Sequence, residues 1–401
     1  MKAVEGGVCA PKGFRASGVA AGIKPGSTKL DCALIVSDAP ATVAGMFTTN
    51  VMKSPPVYRN QDVCAAGSAR AVFLNSGNAN AATGERGHAD VQTTVEAVAG
   101  ALGIGAEETC VCSTGVIGVP LPMDRIQNGI NNCAKALSAA GSPDAAVAIM
   151  TTDTVPKEFA YEVELSSGTV RLGAIAKGSG MISPNMATML CTITTDVSVT
   201  AADLRSMLQA AVDLSFHQMC IDNDLSTSDT VLILANGESG IPPIDPDSND
   251  REQFQAALTE LCQELAMALV RDGEGASKFI EIAVSGTASD DDAKTIARAI
   301  GNSQLCKTAF FGEDANWGRF ACAAGYAGVA FDPADLMITL GDLPICSGGL
   351  AADYAEEDAA AIMKQHDIRL TVSVGDGSGR ATFWTSDLSH DYVSINADYR
   401  T

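Results

Sequence analysis

The sequence is poor in positive charge and in histidine, and both shortages limit what the protein can bind. It has 26 Lys and Arg residues against 48 Asp and Glu residues, which gives a formal net charge of −22. A surface of this sign repels nucleic acid and anionic membranes, so we expect neither as a partner. The four His residues are isolated and no Cys-x-x-Cys occurs. The sequence therefore predicts no metal site.

Long apolar runs and targeting segments are also missing. No run reaches the ~18 apolar residues of a membrane-spanning helix. The first residues, Met-Lys-Ala-Val-Glu, have neither the apolar core of a signal peptide nor an Arg- and Ser-rich transit sequence. Scattered cysteines in apolar surroundings are typical of buried thiols in a reducing compartment; they include Cys191, Cys220, Cys262 and Cys322. We therefore expect a cytoplasmic protein, or one of an organelle matrix whose leader was removed.

Short apolar runs alternate with amphipathic segments along the chain. Strands are predicted at 71–74, 109–113, 170–176 and 190–199. Asp124 and Thr200 are each predicted to cap a helix. The Pro-, Asp- and Ser-rich segment 237–253 is the most linker-like. Without the strict strand–helix alternation of a Rossmann domain, this pattern predicts layered α/β or α+β architecture, in two or three domain-sized units.

The stretch 177–190 combines a Gly/Pro loop with the start of a buried strand. Within it, a small residue, Ala187, precedes the β-branched alcohol Thr188. Cleavage between them would free an α-amine with a pKa of about 7.7–8.0, which can act as base to the Thr188 hydroxyl. The same features also fit an ordinary threonine of a strand.

This stretch resembles the processing site of the ornithine acetyltransferase (glutamate N-acetyltransferase) family of arginine biosynthesis. The resemblance runs over almost the whole chain, because seven further segments match in the expected order. They are Gly-Phe-Arg-Ala-Ser-Gly (13–18), Ala-Gly-Met-Phe-Thr-Thr-Asn (44–50), Asn-Ser-Gly-Asn-Ala-Asn (75–80), Ser-Thr-Gly-Val-Ile-Gly (113–118), Met-Thr-Thr-Asp-Thr (150–154), Asp-Gly-Glu-Gly-Ala (272–276) and Gly-Glu-Asp-Ala-Asn-Trp-Gly-Arg (312–319).

The resemblance implies stacked α/β layers of the aminopeptidase DmpA/ornithine-acetyltransferase type. It implies self-cleavage into residues 1–187 and 188–401, which stay together in one fold unit and commonly form a heterotetramer of two α and two β chains. The implied reaction moves acetyl from N2-acetyl-L-ornithine to L-glutamate through an acetyl-Thr188 intermediate, with no cofactor. Some family members also use acetyl-CoA as donor, and the sequence leaves that possibility open.

The resemblance also assigns roles to individual residues. Thr188 is the nucleophile, and the Thr114 hydroxyl and the Gly115 N–H stabilise the oxyanion. The implied substrate-binding residues are Thr154, Lys177, Thr188, Glu274, Asn396 and Thr401. Lys177 suits a substrate carboxylate and Glu274 the amine of ornithine, while Thr152 competes with Thr154 for one contact.

Two other functions use the same residues. An N-terminal-nucleophile aminopeptidase or amidase of the same fold would let water attack the ester on Thr188. A non-catalytic relative would bind amino acids without processing. Intact Thr188, Thr114, Lys177 and Glu274 argue against the second possibility.

Overall fold

The computed structural model describes residues 1–24, 26–183 and 189–398. The strands are β1 (Lys2–Ala3), β2 (Phe14–Val19), β3 (Cys32–Phe47), β4 (Ser68–Asn75), β5 (Thr109–Ser113), β6 (Lys157–Leu165), β7 (Gly168–Lys177), β8 (Leu190–Thr195), β9 (Met219–Cys220), β10 (Thr230–Ala235), β11 (Phe279–Gly286), β12 (Met337–Leu340), β13 (Leu343–Ser347), β14 (Leu350–Ala351), β15 (Asp367–Ser373) and β16 (Gly377–Ser386). The α-helices are α1 (Pro55–Ala66), α2 (Gly84–Leu102), α3 (Met123–Ala136), α4 (Ser142–Ala148), α5 (Ala201–Asp213), α6 (Asn249–Arg271), α7 (Asp290–Asn302), α8 (Gln304–Phe311), α9 (Trp317–Gly325), α10 (Glu356–Met363) and α11 (His390–Ala397).

The chain forms two compact units. Unit 1 comprises residues 1–217 and 224–269, and unit 2 comprises 218–223 and 270–401. The linker-like segment 237–253 lies inside unit 1. The backbone N–H of Ile244 donates to the Ser198 carbonyl at 3.0 Å, which ties the segment to that unit. No helix in the described ranges has the length and apolarity needed to cross a membrane.

Unit 1 is built on one large mixed sheet. Over the described residues the sheet has nine strands in the order β1–β6–β7–β8–β10–β3–β4–β5, with β2 also paired to β3. Successive side chains of β3 serve different cores: Ile35 packs with Ile149, whereas Leu34 packs with Val95 of α2 and Ile130 of α3. Because both faces of the sheet are buried here, the first part of the strand, residues 32–36, is a continuous apolar run rather than an alternating one.

Unit 2 has a sheet of its own. Its described strands follow the order β14–β13–β12–β15–β11–β16–β9. Ile282 and Phe383 of this sheet pack with Ile296, Phe310 and Phe320 from helices α7, α8 and α9. The prediction of mixed, layered α/β architecture is therefore confirmed in both units.

Local predictions had mixed outcomes. The four predicted strands are confirmed within β4, β5, β7 and β8, although β8 ends at Thr195 rather than at residue 199. The Thr200 cap is confirmed, since its Oγ1 accepts from the Asp203 N–H at 3.2 Å. The Asp124 cap is wrong. Helix α3 begins one residue earlier at Met123, so Asp124 lies in the first turn and Pro122 occupies the capping position.

The prediction for the cysteines is confirmed for three of the four named. Cys191, Cys220 and Cys262 are buried free thiols. Cys322 is exposed, which contradicts the prediction. Its helix, α9, buries Phe320, Ala323 and Ala324, and Cys322 lies on the opposite face.

Candidate active site

Thr114 lies in a turn that is clamped against a second polar turn. The parallel strands β4 and β5 end side by side at Asn75 and Ser113. The Ser113 Oγ donates to the Asn75 Oδ1 at 2.7 Å, and the Thr114 N–H donates to the Asn75 carbonyl at 3.0 Å. Thr114 is only 3% exposed. The backbone of Thr114 is therefore fixed by its own hydrogen bond and by that of the preceding residue.

Glycine is the only residue type that fits this turn at position 115. Its φ is +129°, and a Cβ built on it would lie 2.4 Å from the Gly77 carbonyl carbon. Only glycine combines that backbone conformation with so close an approach. The sequence suggested that glycine here lets a substrate approach the backbone. In the structure, the group that closely approaches Gly115 is the backbone of Gly77 in the neighbouring turn.

Lys177, the last residue of β7, is buried beside Thr114. The residue is 1% exposed, and its Nζ donates to the Thr114 Oγ1 at 3.3 Å. The Nζ also lies 4.0 Å from the Asp153 Oδ2. The Asp153 Oδ1 accepts from the Lys157 Nζ at 2.7 Å and from the Gly178 N–H at 2.7 Å. One buried carboxylate thus holds two buried lysines and the backbone that follows β7.

The charge of Asp153 is set by these partners. Burial alone raises the pKa of its carboxyl group, but the ammonium groups of Lys177 and Lys157 and the Gly178 N–H outweigh burial and lower that pKa to about 2. Asp153 is therefore ionised at neutral pH. The Lys177 Nζ thus lies beside both this carboxylate and the Thr114 hydroxyl, an arrangement that can bind an anion or stabilise developing negative charge.

The loop that carries Asp153 also carries the two competing threonines. Thr154 is exposed and Thr152 is half-buried, and both lie between α4 and β6. The Thr151 N–H donates to the Asp153 Oδ2 at 3.0 Å, which ties this loop to the lysine cluster. The choice between Thr152 and Thr154 stays open.

Glu274 and Asn396 meet in unit 2. The Asn396 Nδ2 donates to the Glu274 Oε2 at 2.7 Å, and Glu274 is 8% exposed, not the exposed loop acid that its acidic surroundings in sequence would suggest. Gly275 makes this contact possible: its φ is +66°, and a Cβ there would lie 2.4 Å from the Tyr392 N. The Ser389 Oγ donates to the Gly275 carbonyl and fixes the start of α11 against the loop.

Three predicted site residues, Ala187, Thr188 and Thr401, lie outside the described residues. Two carboxylates of unit 1 that sequence reasoning missed are Asp153 and Asp229. Asp153 stands inside the matched segment 150–154, in which the resemblance assigns a role only to a threonine hydroxyl. Asp229 stands directly before the apolar strand β10, where a carboxylate is unusual, and this position was the available signal. Within the described ranges, no group of three or more His, Cys, Asp or Glu could hold a metal.

Comparison with known proteins gives full-length matches. The model of the ArgJ family matches residues 15–401. A Symbiobacterium thermophilum protein named arginine biosynthesis bifunctional protein ArgJ is 49% identical over 402 aligned positions, covering 100% of both chains. The protein of that name from Geobacter sulfurreducens is 47% identical, covering 97% of this chain and 99% of its own. A crystal structure of the Bacillus halodurans protein of the same name superposes with a TM-score of 0.50 at 36% identity, covering 51% of this chain and 96% of that one.

Gly115→Ala should destabilise the fold more than the matched change Gly118→Ala. Both positions have positive φ, but a Cβ at residue 118 meets nothing within 4 Å, whereas one at residue 115 meets the backbone of Gly77. We expect Gly115→Ala to lower the free energy of unfolding by about 1–3 kcal/mol more than its neighbour. Urea unfolding followed by circular dichroism measures this, and equal losses would contradict the steric account.

Asp153→Asn should destabilise the protein in a pH-dependent way. A carboxyl group whose pKa is depressed when folded stabilises above its unfolded pKa of about 4, and that contribution is lost as pH falls through about 2. The variant should lose on the order of 2 kcal/mol at pH 6 and less at pH 3. Asp358→Asn, at an exposed position, is the control. A loss for Asp153→Asn that does not shrink between pH 6 and pH 3 would contradict this assignment.

Proposed function

The chain belongs to the ArgJ family, and we propose from that membership that it moves acetyl from N2-acetyl-L-ornithine to L-glutamate in arginine biosynthesis. The observation that carries the proposal is the match over the full length of both chains to a relative named for arginine biosynthesis. The candidate site adds chemical support, because it places a buried lysine beside the hydroxyl that would receive the oxyanion.

The proposed reaction runs in two halves on one nucleophile. Self-cleavage between Ala187 and Thr188 frees the α-amine of Thr188. That amine takes the proton of the Thr188 hydroxyl while the oxygen attacks the acetyl carbonyl. The proton then goes to the departing nitrogen, and L-ornithine leaves an acetyl ester on Thr188. The amine of L-glutamate attacks this ester, the bond between the acetyl carbon and the Thr188 oxygen breaks, and the proton lost by the glutamate amine passes through the Thr188 α-amine to that oxygen. N-acetyl-L-glutamate leaves and the free hydroxyl is restored.

The oxyanion formed in each half would be held at Thr114 and Gly115. Because the Thr114 Oγ1 accepts from Lys177, the proton of that hydroxyl remains available to donate toward the substrate. In the described part of the chain, no acceptor takes a hydrogen bond from the Gly115 N–H. Removing one such donor typically costs ~10²–10³ in rate.

Substrate selection is assigned to the charged groups. Lys177 suits the α-carboxylate that N2-acetyl-L-ornithine and L-glutamate share, with a hydroxyl of Thr154 or Thr152 as a further contact. Glu274 suits the side-chain amine of ornithine, since among the described residues Asn396 donates to its Oε2 and not to its Oε1. The family resemblance adds Thr401 to these substrate-binding residues. The reaction as proposed needs no cofactor or metal, because the base and the oxyanion donors are all protein groups.

The relatives are named bifunctional, and we extend the proposal to acetyl-CoA as a second donor for glutamate. We also propose an assembly of two α chains (1–187) and two β chains (188–401), which native mass spectrometry would test. A cytoplasmic or matrix location is supported by the twelve cysteines, which are all free thiols. The aminopeptidase alternative is not favoured, because the full-length relatives carry names from arginine biosynthesis.

Thr188→Ala should remove both processing and transfer. Without the hydroxyl no ester forms, so a denaturing gel should show one uncleaved chain, and acetylornithine consumption should fall by about 10³-fold or more. Thr188→Ser should keep both activities at a reduced rate. Thr192→Ala is the control, since Thr192 is buried on β8 and its Oγ1 makes no hydrogen bond among the described residues. An active Thr188→Ala enzyme would contradict the mechanism.

The donor and acceptor assays separate the remaining functions. With acetylornithine as donor, consumption should depend on added glutamate, because transfer rather than hydrolysis completes the cycle. With acetyl-CoA as the sole donor, glutamate should still be acetylated, and Lys177→Met should impair both assays. Consumption of acetylornithine without glutamate would identify a hydrolase. If glutamate is not acetylated with acetyl-CoA as donor, the enzyme is restricted to acetylornithine.

A further inference from the structure

We infer that Asp229 is a positioning residue for the processing junction, acting through a hydrogen bond from the backbone N–H of Met189, the residue that follows Thr188. The inference rests on the proposed function, since it assigns Asp229 a role in the cleavage and transfer proposed above. Asp229 is not among the residues that the family resemblance assigns.

The hydrogen bond from Met189 to Asp229 is of ordinary length and is fully buried. The Met189 N–H donates to the Asp229 Oδ1 at 2.9 Å, and both residues are 0% exposed. On its other side, the Met189 carbonyl accepts from the Thr230 N–H at 3.1 Å. Two consecutive residues, 229 and 230, thus hold both backbone polar groups of Met189. Thr188 is joined to that N–H by its own carbonyl carbon, so fixing the amide restricts the nucleophile directly.

The Asp229 side chain supplies an acceptor for the Met189 N–H that strand pairing does not supply. Strands β8 and β10 are parallel, and their register begins at the pair Leu190 and Thr230. Met189 precedes the first pair, and its N–H receives a carboxylate oxygen as acceptor. The Asp229 carbonyl accepts from the Thr48 N–H at 3.1 Å, which anchors the backbone of Asp229 to the end of β3. The acceptor is therefore held from two strands and does not rely on the junction itself for its position.

Burying the Asp229 carboxyl group costs free energy, which argues against an incidental role. The Oδ2 of Asp229 is buried, and within the described structure it has no hydrogen-bond partner. Burial raises the pKa of Asp229 well above its usual value, and the Met189 N–H, the charge of Lys177 and the nearby hydroxyls of Thr48 and Ser226 reduce that rise. Buried polar atoms without partners are rare in native proteins and call for an explanation. Burial of this carboxyl group is explained if its other oxygen, Oδ1, is needed to hold the amide beside the nucleophile.

The substitution Asp229→Ala tests the hydrogen bond, and Asp229→Asn is the conservative rescue. Asparagine keeps an oxygen that can accept from Met189. We expect Asp229→Ala to slow the appearance of the fragment that begins at residue 188 by at least about tenfold, measured by intact mass after synthesis. For the processed fraction, kcat should fall by a similar factor with KM within about twofold. Asp229→Asn should stay within about threefold of wild type in both measurements.

Asp196 provides a matched control at the opposite end of the same strand. It follows β8, is 2% exposed, and accepts from the backbone N–H groups of Lys12 and Arg171 at 3.1 and 2.8 Å. Asp196→Ala should lower the melting temperature as Asp229→Ala does but leave fragment formation and kcat unchanged. If Asp229→Ala is insoluble, Asp229→Ser gives the same comparison, because its hydroxyl is too short to replace the carboxylate.

The outcomes separate this inference from the proposed function. Fragment formation and kcat in Asp229→Ala equal to wild type would overturn the inference alone. So would equal losses in Asp229→Ala and Asp229→Asn, or slower processing in Asp196→Ala at the same loss of stability. A wild-type chain with neither a fragment starting at residue 188 nor acetyl transfer would overturn the proposed function and the inference with it.

Discussion

The candidate site depends on one buried ion cluster, in which Asp153 holds Lys157 and Lys177. A lysine taken out of water strongly favours losing its proton unless a negative charge is near. Asp153 supplies that charge, at 2.7 Å from the Lys157 Nζ and 4.0 Å from the Lys177 Nζ. This carboxylate therefore compensates the burial of Lys177, which is 1% exposed beside Thr114. The proposed substrate and oxyanion contacts both follow from that placement.

The backbone around the cluster is as constrained as its charges. Gly115 and Gly77 approach so closely that no side chain fits between them, and Asn75 holds the adjoining Ser113 and Thr114. A catalytic donor must be fixed before the reaction begins, since reorganisation during the reaction costs free energy. Close backbone packing and buried hydrogen bonds provide that rigidity without any contact from a ligand.

The sequence predicted strands and helices better than it predicted contacts between distant residues. Apolar runs such as 109–113 located strands because a strand buried on both faces must be apolar throughout. The proximity of Lys177 and Thr114 was not predictable from pattern, because β7 and β5 are not neighbours in the sheet order. Asp153 and Asp229 were missed for a related reason: a carboxylate that serves a distant backbone N–H has no local periodicity. The cap at Asp124 failed because the helix starts one residue earlier.

The two missed carboxylates anchor opposite ends of the same stretch of chain. The Asp153 Oδ1 accepts from the N–H of Gly178, directly after β7, and the Asp229 Oδ1 accepts from the N–H of Met189, directly before β8. Burial acts on both, yet the pKa of Asp153 is lowered and that of Asp229 is raised, because only the first has two lysines in ion-pair contact. Groups whose environments drive their pKa values apart are typical of sites where protons are transferred. The chain thus places a carboxyl group of lowered pKa and one of raised pKa at the two ends of the segment that contains Thr188.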